Sequence, residues 1–258
     1  MSNIQNPKID KILCHIDMSI GNTDLKSRIK DVWGEYIVYH IFNLPETDYV
    51  KTYEELAESL GRIRLCPAVN SNEVELKKST DIKFNPDLYH YFASDTRQPL
   101  HTDYSYYPLN DHPDWLMLYC LGIPEYGGKT NILSVKTLIT ILEKYNPNLL
   151  KKINTNVVWK YKGLDGEKIH KKPLFDGTNI NWNYWQIDNN LNDDETMKIR
   201  EELFNFLENV IVDGNIYDFS KKWSIGDCII FNDHLVLHGR DAFLGHDRWL
   251  KDHAFFEK

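Results

Sequence analysis

The sequence predicts a mainly β fold, a sandwich or jelly roll with a few helices packed outside its sheets. Three observations predict it: many short apolar runs punctuated by turn residues, few segments with helical periodicity, and a length that supports one large core. Barrels and sandwiches of about 250 residues are commonly single domains. No repeat, low-complexity run or Pro/Gly/Ser-rich linker divides the chain, so residues 1–258 read as one domain.

Taken in order, Leu25, Ile29 and Trp33 share a face at four-residue spacing and predict a helix over about 23–34. The run from Tyr36 to Leu44 reads as a strand. Thr52 with Glu55 has the form of a capping box for a short helix ending near Gly61. Trp115 to Leu121 is a strand, and Tyr126-Gly-Gly-Lys129 turns into a second one, Thr130 to Leu133. Ser134 caps a helix through about residue 146. Val157 to Lys162 reads as a strand, and Phe175 to Thr178 as a turn before the run Ile180 to Ile187. The strongest helix signal is 194–210, where Met197, Leu203, Phe206, Leu207 and Val210 recur at helical spacing. Ile225-Gly-Asp227 turns into Cys228 to Phe231, and Leu250 to Phe256 closes the chain.

Composition excludes several classes. Apolar residues are 42% of the chain, too many for a disordered protein, and the apolar runs are too short to span a membrane. The net charge is −8 with no Lys/Arg block, which argues against nucleic acid as a partner. The N-terminal residues lack the basic start and apolar run of a secretory signal, so a cytoplasmic location is expected. The four cysteines are far apart, as isolated thiols rather than a disulfide framework or thiolate zinc site.

The chemistry is in the histidines. Two histidines and a carboxylate on one face of Fe(II) leave positions open for a co-substrate and O2. Two of the three ligands commonly come from His-x-Asp, because alternate residues of extended chain point the same way. With ten histidines in the chain, roughly one such match is expected by accident. There are three: His15/Asp17, His101/Asp103 and His112/Asp114. His112-Pro-Asp114 lies in a turn-like cluster, and His15/Asp17 precedes most of the predicted sheet, where a peripheral segment is expected. His101/Asp103 stands upstream of a strand-rich region able to return a third ligand.

The run Gln98-Pro-Leu-His-Thr-Asp103 resembles the iron-binding motif of the taurine dioxygenase-like (clavaminate-synthase-like) 2-oxoglutarate oxygenases. Trp223 to Phe243 resembles that family's distal-histidine region, and Leu237-His-Gly-Arg-Asp-Ala-Phe243 is especially similar to its γ-butyrobetaine dioxygenase branch. The resemblance covers roughly residues 91–258. It implies a double-stranded β-helix (a cupin-like jelly roll), with Fe(II) and O2 as reactants and 2-oxoglutarate as co-substrate. It places the third ligand at His238, with His234 as runner-up; on one strand both would share a face. Family members hold the far carboxylate of 2-oxoglutarate with an arginine roughly ten to fifteen residues past the distal histidine, a role that falls to Arg248. A guanidinium fork suits a carboxylate. Thr130 matches a threonine that helps hold the same group.

The implied reaction is oxidation of a small molecule. Retention of Asp103 favours hydroxylation over halogenation, with desaturation or cyclisation open. The rival readings are a zinc hydrolase on the same three residues and a non-catalytic jelly-roll binding protein; neither requires Thr130 with Arg248. Arg97 and His234 flank the motifs as substrate contacts or surface residues. Chain extended past Asp103 would turn Ser105 and Tyr107 to the metal side and Tyr104 and Tyr106 away. The rings Tyr104, Tyr106, Tyr107, Trp182, Tyr184 and Trp185 either pack the sheets or cage an ammonium group. A small amine or amino acid is the substrate expected.

Overall fold

The structure is a computed structural model that describes residues 11–20, 24–67, 76–87, 91–105, 107–155, 157–162 and 168–258. Tyr106 lies outside the described residues, as does part of the predicted helix at 23–34.

Alternation of side chains builds two sheets. In the strand Trp115–Gly122, Trp115, Met117 and Tyr119 enter one buried cluster while Leu116, Leu118 and Cys120 enter another. A strand apolar on both faces belongs in the middle of a covered sheet, and this one does. The seven-stranded sheet runs Lys11–Asp17, Tyr36–Phe42, Cys228–Asn232, Trp115–Gly122, Trp249–Glu257 and Gly61–Ile63, with Thr80–Lys83 also paired to Trp249–Glu257. Its outer face is covered by the helices Leu25–Lys30 and Tyr49–Leu60.

The second sheet has four strands, Phe219–Lys221, Thr130–Ser134, Val236–Arg240 and Gln98–His101. Ile132, Phe219 and Val236 face the larger sheet, packing on Leu116, Leu118, Phe231 and Leu250. Leu100, Leu133 and Leu237 point outward, under the helices Val135–Tyr145, Pro147–Ile153 and Asp194–Phe206. The result is a double-stranded β-helix, a jelly roll with helices outside both sheets. No helix among the described residues is long and apolar enough to cross a membrane. All four cysteines are free.

Period-two alternation also aims the site. Leu100 and Leu237 point outward, so their neighbours His101 and His238 point inward, and the two histidines face each other in register across the antiparallel pair. Gly239 lets the two strands approach. A Cβ there would stand 2.8 Å from the Gln98 carbonyl oxygen and 3.2 Å from the Leu100 amide, both main chain. Gly239→Ala is therefore expected to cost about 1–3 kcal/mol by forcing the strands apart, read as a lower urea midpoint. An unchanged midpoint would show that the strands can separate without loss.

Several expectations need correction. The helix expected to start at Thr52 starts one turn earlier, because Asp48 accepts from the Lys51 amide and caps it. His15 and Asp17 are peripheral as expected, but on a strand: Lys11–Asp17 is an edge strand parallel to Tyr36–Phe42, and a short half-exposed edge strand leaves little apolar pattern to read. Ile180 to Ile187 forms no strand beyond one bridge, Phe175 to Ile180; its large side chains fill the core under the helices from an irregular segment. The strong helix signal at 194–210 is borne out by Asp194–Phe206, with a wider π turn continuing through Leu207–Val212.

Candidate functional site

His101 ends its strand, Asp103 follows two residues later, and His238 lies on the neighbouring strand. Their ligand atoms all fall within 4.8 Å of one another. Asp103 bridges the two rings, with one oxygen 3.3 Å from His101 Nε2 and the other 3.6 Å from His238 Nε2. His101 Nδ1 donates to the Pro99 carbonyl oxygen at 2.8 Å, which leaves Nε2 as the free ligand atom. The Gln98 amide rests 3.1 Å from that same nitrogen. The surrounding protein opposes charge on His101, but its contact with Asp103 and the Pro99 carbonyl outweigh this and raise its pKa. Packing would likewise raise the Asp103 carboxyl, yet the two facing histidines hold it well below the usual carboxylate range. Two imidazoles and a carboxylate converging in this way are a donor set suited to Fe(II).

The segment between the ligands is locked from behind. Thr102 is buried; its amide donates to the Trp182 carbonyl oxygen at 2.6 Å, and its hydroxyl accepts from the Trp182 amide at 3.1 Å. Asp233, in the turn after Cys228–Asn232, accepts from the Asp103 amide at 3.0 Å and stands 3.5 Å from His238 Nδ1. Burial pushes the Asp233 carboxyl up to about 8, and the same cause lowers Lys172 to about 8. Between them, burial and then Lys172 bring His112 down to about 3, so it is neutral.

The sites predicted for the far carboxylate lie further along the same face. Thr130 and Ile132 both point inward, and Ile132 is the cross-strand partner of His238. Two residues of strand span about 7 Å, close to the length of a five-carbon dicarboxylate. Thr130 Oγ1 accepts from Trp223 Nε1 at 2.8 Å. Arg248 is 3% exposed, and its Nε and Nη1 have no hydrogen-bond partner among the described residues. Its Cδ lies 3.6 Å from where a Cβ on Gly128 would stand, next to the turn leading to Thr130. Burial, then repulsion from Arg240, lowers Arg248 to about 9. A guanidinium buried with unmet donors is costly unless an anion meets it. The residues present thus fit both groups: three converging ligands for iron and a buried cation for a carboxylate.

The family profile described as taurine catabolism dioxygenase TauD, TfdA family matches residues 15–252. The chain belongs to this family. It is a 2-oxoglutarate-dependent non-haem iron dioxygenase, and the match extends the likeness well ahead of residue 91, where the motifs alone begin to show it. Solved structures share the fold. A putative α-ketoglutarate-dependent taurine dioxygenase from Burkholderia xenovorans superimposes with a TM-score of 0.62 at 15% identity, covering 96% of this chain and 90% of that one. The PvcB protein of Pseudomonas aeruginosa gives 0.67 at 12% identity, covering 96% and 87%. An asparagine oxygenase, in complex with Fe(II), hydroxyasparagine and succinate, gives 0.65 at 13% identity, covering 90% and 77%. No curated protein matches the sequence significantly.

Within this TauD-family chain the other candidates separate. His234 does not share a strand face with His238: it lies in the turn before Val236–Arg240 and packs against the His112 ring at 4.1 Å. Arg97 pairs with Glu208 through both guanidinium termini. Tyr104 has φ of 56°, so the chain does not stay extended past Asp103 and the expected alternation of Ser105 and Tyr107 fails. The rings of Tyr104 and Tyr107 do hold a cation, but an internal one: the Arg64 guanidinium sits 5.2 and 3.9 Å from their centroids. Trp182 is fully buried and Tyr184 packs beside it, as core rather than cage, while Trp185 is exposed. His112 is set aside in the sequence with its turn-like cluster, and Asp233 and Lys172 are not singled out there. His112 and Asp233 resemble surface turn residues in sequence, and a lysine in a polar run gives no sign of burial.

Proposed function

We propose that this dioxygenase hydroxylates an unactivated C–H bond of a small amine or amino acid. In this reading His101, Asp103 and His238 hold Fe(II), and Arg248 with Thr130 holds the far carboxylate of 2-oxoglutarate. The observation that carries it is the inward-facing His-Asp-His cluster with a buried, unmet guanidinium on the same side of the fold. Arg248 favours this over a zinc hydrolase, which requires no anion clamp.

When bound, the iron and 2-oxoglutarate would activate O2, one oxygen atom going to the substrate and the other into succinate as CO2 is released. The chain's own residues position and enclose. Arg248 orients the dicarboxylate so that its keto acid end reaches the histidines, and Asp103 fills the third ligand position, which favours hydroxylation over halogenation. Ile132, Phe231 and Val236, buried around His238, keep water from that side. One inward carboxylate supports a cationic substrate. Asp252 lies between Leu250 and Ala254, both inter-sheet core residues, close enough to act on Asp103, Tyr104 and Cys66.

The test is a visible spectrum of metal-free protein, recorded without oxygen, after adding Fe(II) and then 2-oxoglutarate. A weak charge-transfer band that requires both is expected, followed by succinate release that depends on added small amines or amino acids. Folded protein that binds metal but shows no band would overturn the assignment of the site. A band with succinate release unaffected by every amine and amino acid would overturn the substrate class alone.

A further inference from the structure

Behind the ligand cluster three buried ionisable side chains from separate elements form a chain. Asp233 and Lys172 are fully buried and His112 is 3% exposed. Asp233 Oδ2 lies 2.8 Å from His112 Nε2, and His112 Nδ1 lies 3.3 Å from Lys172 Nζ. Lys172 also donates to the Tyr104 carbonyl oxygen at 2.8 Å. An ammonium only donates, so His112 Nδ1 accepts and its Nε2–H donates to Asp233. Asp233 then receives the His112 ring and the Asp103 amide, and its Oδ1 stands 3.5 Å from His238 Nδ1, which has no hydrogen-bond partner among the described residues.

We propose that Asp233, His112 and Lys172 are positioning residues, a linked relay that orients His238 and clamps the backbone carrying Asp103. The two ends of the relay hold the backbone before and shortly after that ligand. Asp233 takes the Asp103 N–H, and Lys172 takes the carbonyl of Tyr104, whose left-handed backbone costs about 1–2 kcal/mol in a non-glycine residue. The clamp at the far end keeps that strained turn in place. At the near end, Asp233 Oδ1, 3.5 Å from His238 Nδ1, backs that ring and fixes its orientation, as partners behind metal-bound histidines generally do. Buried ions are weak stabilisers, since apolar residues of similar volume often serve stability as well or better. Their presence here is explained by what they hold.

This inference rests on His101, Asp103 and His238 as the metal ligands. The experiment titrates metal-free protein with Co(II) without oxygen, following the visible ligand-field bands, and records thermal unfolding of each variant. Lys172→Met, Asp233→Asn and the double variant are compared with wild type. Each single variant should unfold cooperatively, bind Co(II) about 10–100-fold more weakly, and show displaced bands. The double should be no weaker than the worse single, because both act through one chain. Asp233→Asn, nearly isosteric, carries the test if Lys172→Met does not fold. Wild-type bands and affinity in a folded single variant would overturn the relay, and additive losses in the double would overturn the linkage. Absence of bands in wild type would instead strike the ligand assignment on which the relay depends.

Discussion

His238→Ala should leave a folded protein that releases succinate at background, at least about 10³-fold below wild type, and shows no charge-transfer band with Fe(II) and 2-oxoglutarate. His101→Ala and Asp103→Ala should do the same. The magnitude follows from ligand count. On the proposed ligand set three side chains would hold the ion, and losing one would remove several kcal/mol of metal binding, where each 1.4 kcal/mol is about tenfold. The strands themselves should survive, since Leu100 and Leu237 pack outward in the core independently of the inward histidines. The control is therefore thermal unfolding of metal-free protein, which should change little beside the loss of activity. Near-normal substrate oxidation in any of the three would remove that residue from the ligand set. Protons compete with the metal here: His101, its pKa raised chiefly by Asp103 against the effect of burial, must lose its proton to bind. Metal affinity should fall as pH drops through the raised His101 value, beginning above the pH at which an ordinary imidazole titrates.

The parts legible in the sequence were those with local signatures. Trp115–Gly122 declared itself by continuous apolar character, Ser134 by its capping position, and Asp194–Phe206 with the π turn after it by five apolar residues at helical spacing. His101, Asp103, His238, Thr130 and Arg248 could be singled out because the motif order is linear, and the fold brings the first three together. What was hidden depended on tertiary pairing. Lys11–Asp17 becomes a strand only because Tyr36–Phe42 offers its parallel edge. Asp233, His112 and Lys172 are 121 and 60 residues apart along the relay, and no spacing rule links them. Tyr104 and Tyr107 had the right chemistry for a cation, but only folding shows that Arg64, from a distant segment, already takes that place. His234 failed for a local reason: the chain turns at 233–235, so strand alternation does not carry through to His238.

Arg248→Met should raise the 2-oxoglutarate concentration needed for half-maximal succinate release by about 30–1000-fold, with a smaller effect at saturation. Losing a charge-assisted contact to a carboxylate in a buried site costs about 2–4 kcal/mol, and each 1.4 kcal/mol is tenfold. The contact is made in the bound and reacting states alike, so KM rises while kcat falls less. The same substitution has an opposite effect on the free protein. Arg248 is 3% exposed with Nε and Nη1 unmet, so on the proposed reading the wild type carries a buried charge that the co-substrate satisfies. Methionine fills similar space without that penalty, and the free variant should unfold at the wild-type temperature or above it. Adding 2-oxoglutarate with metal should raise the wild-type unfolding temperature and leave the variant's nearly unmoved. A purely structural arginine would give the reverse, a destabilised free protein with an unchanged 2-oxoglutarate requirement. Should the requirement stay unchanged, the carboxylate role passes to Arg240. That residue is the weaker candidate, because its Nη2 is already committed to the carbonyl oxygens of Ser94 and Thr96 at 2.8 and 2.7 Å. A guanidinium anchored to main chain has fewer directions left in which to meet a ligand.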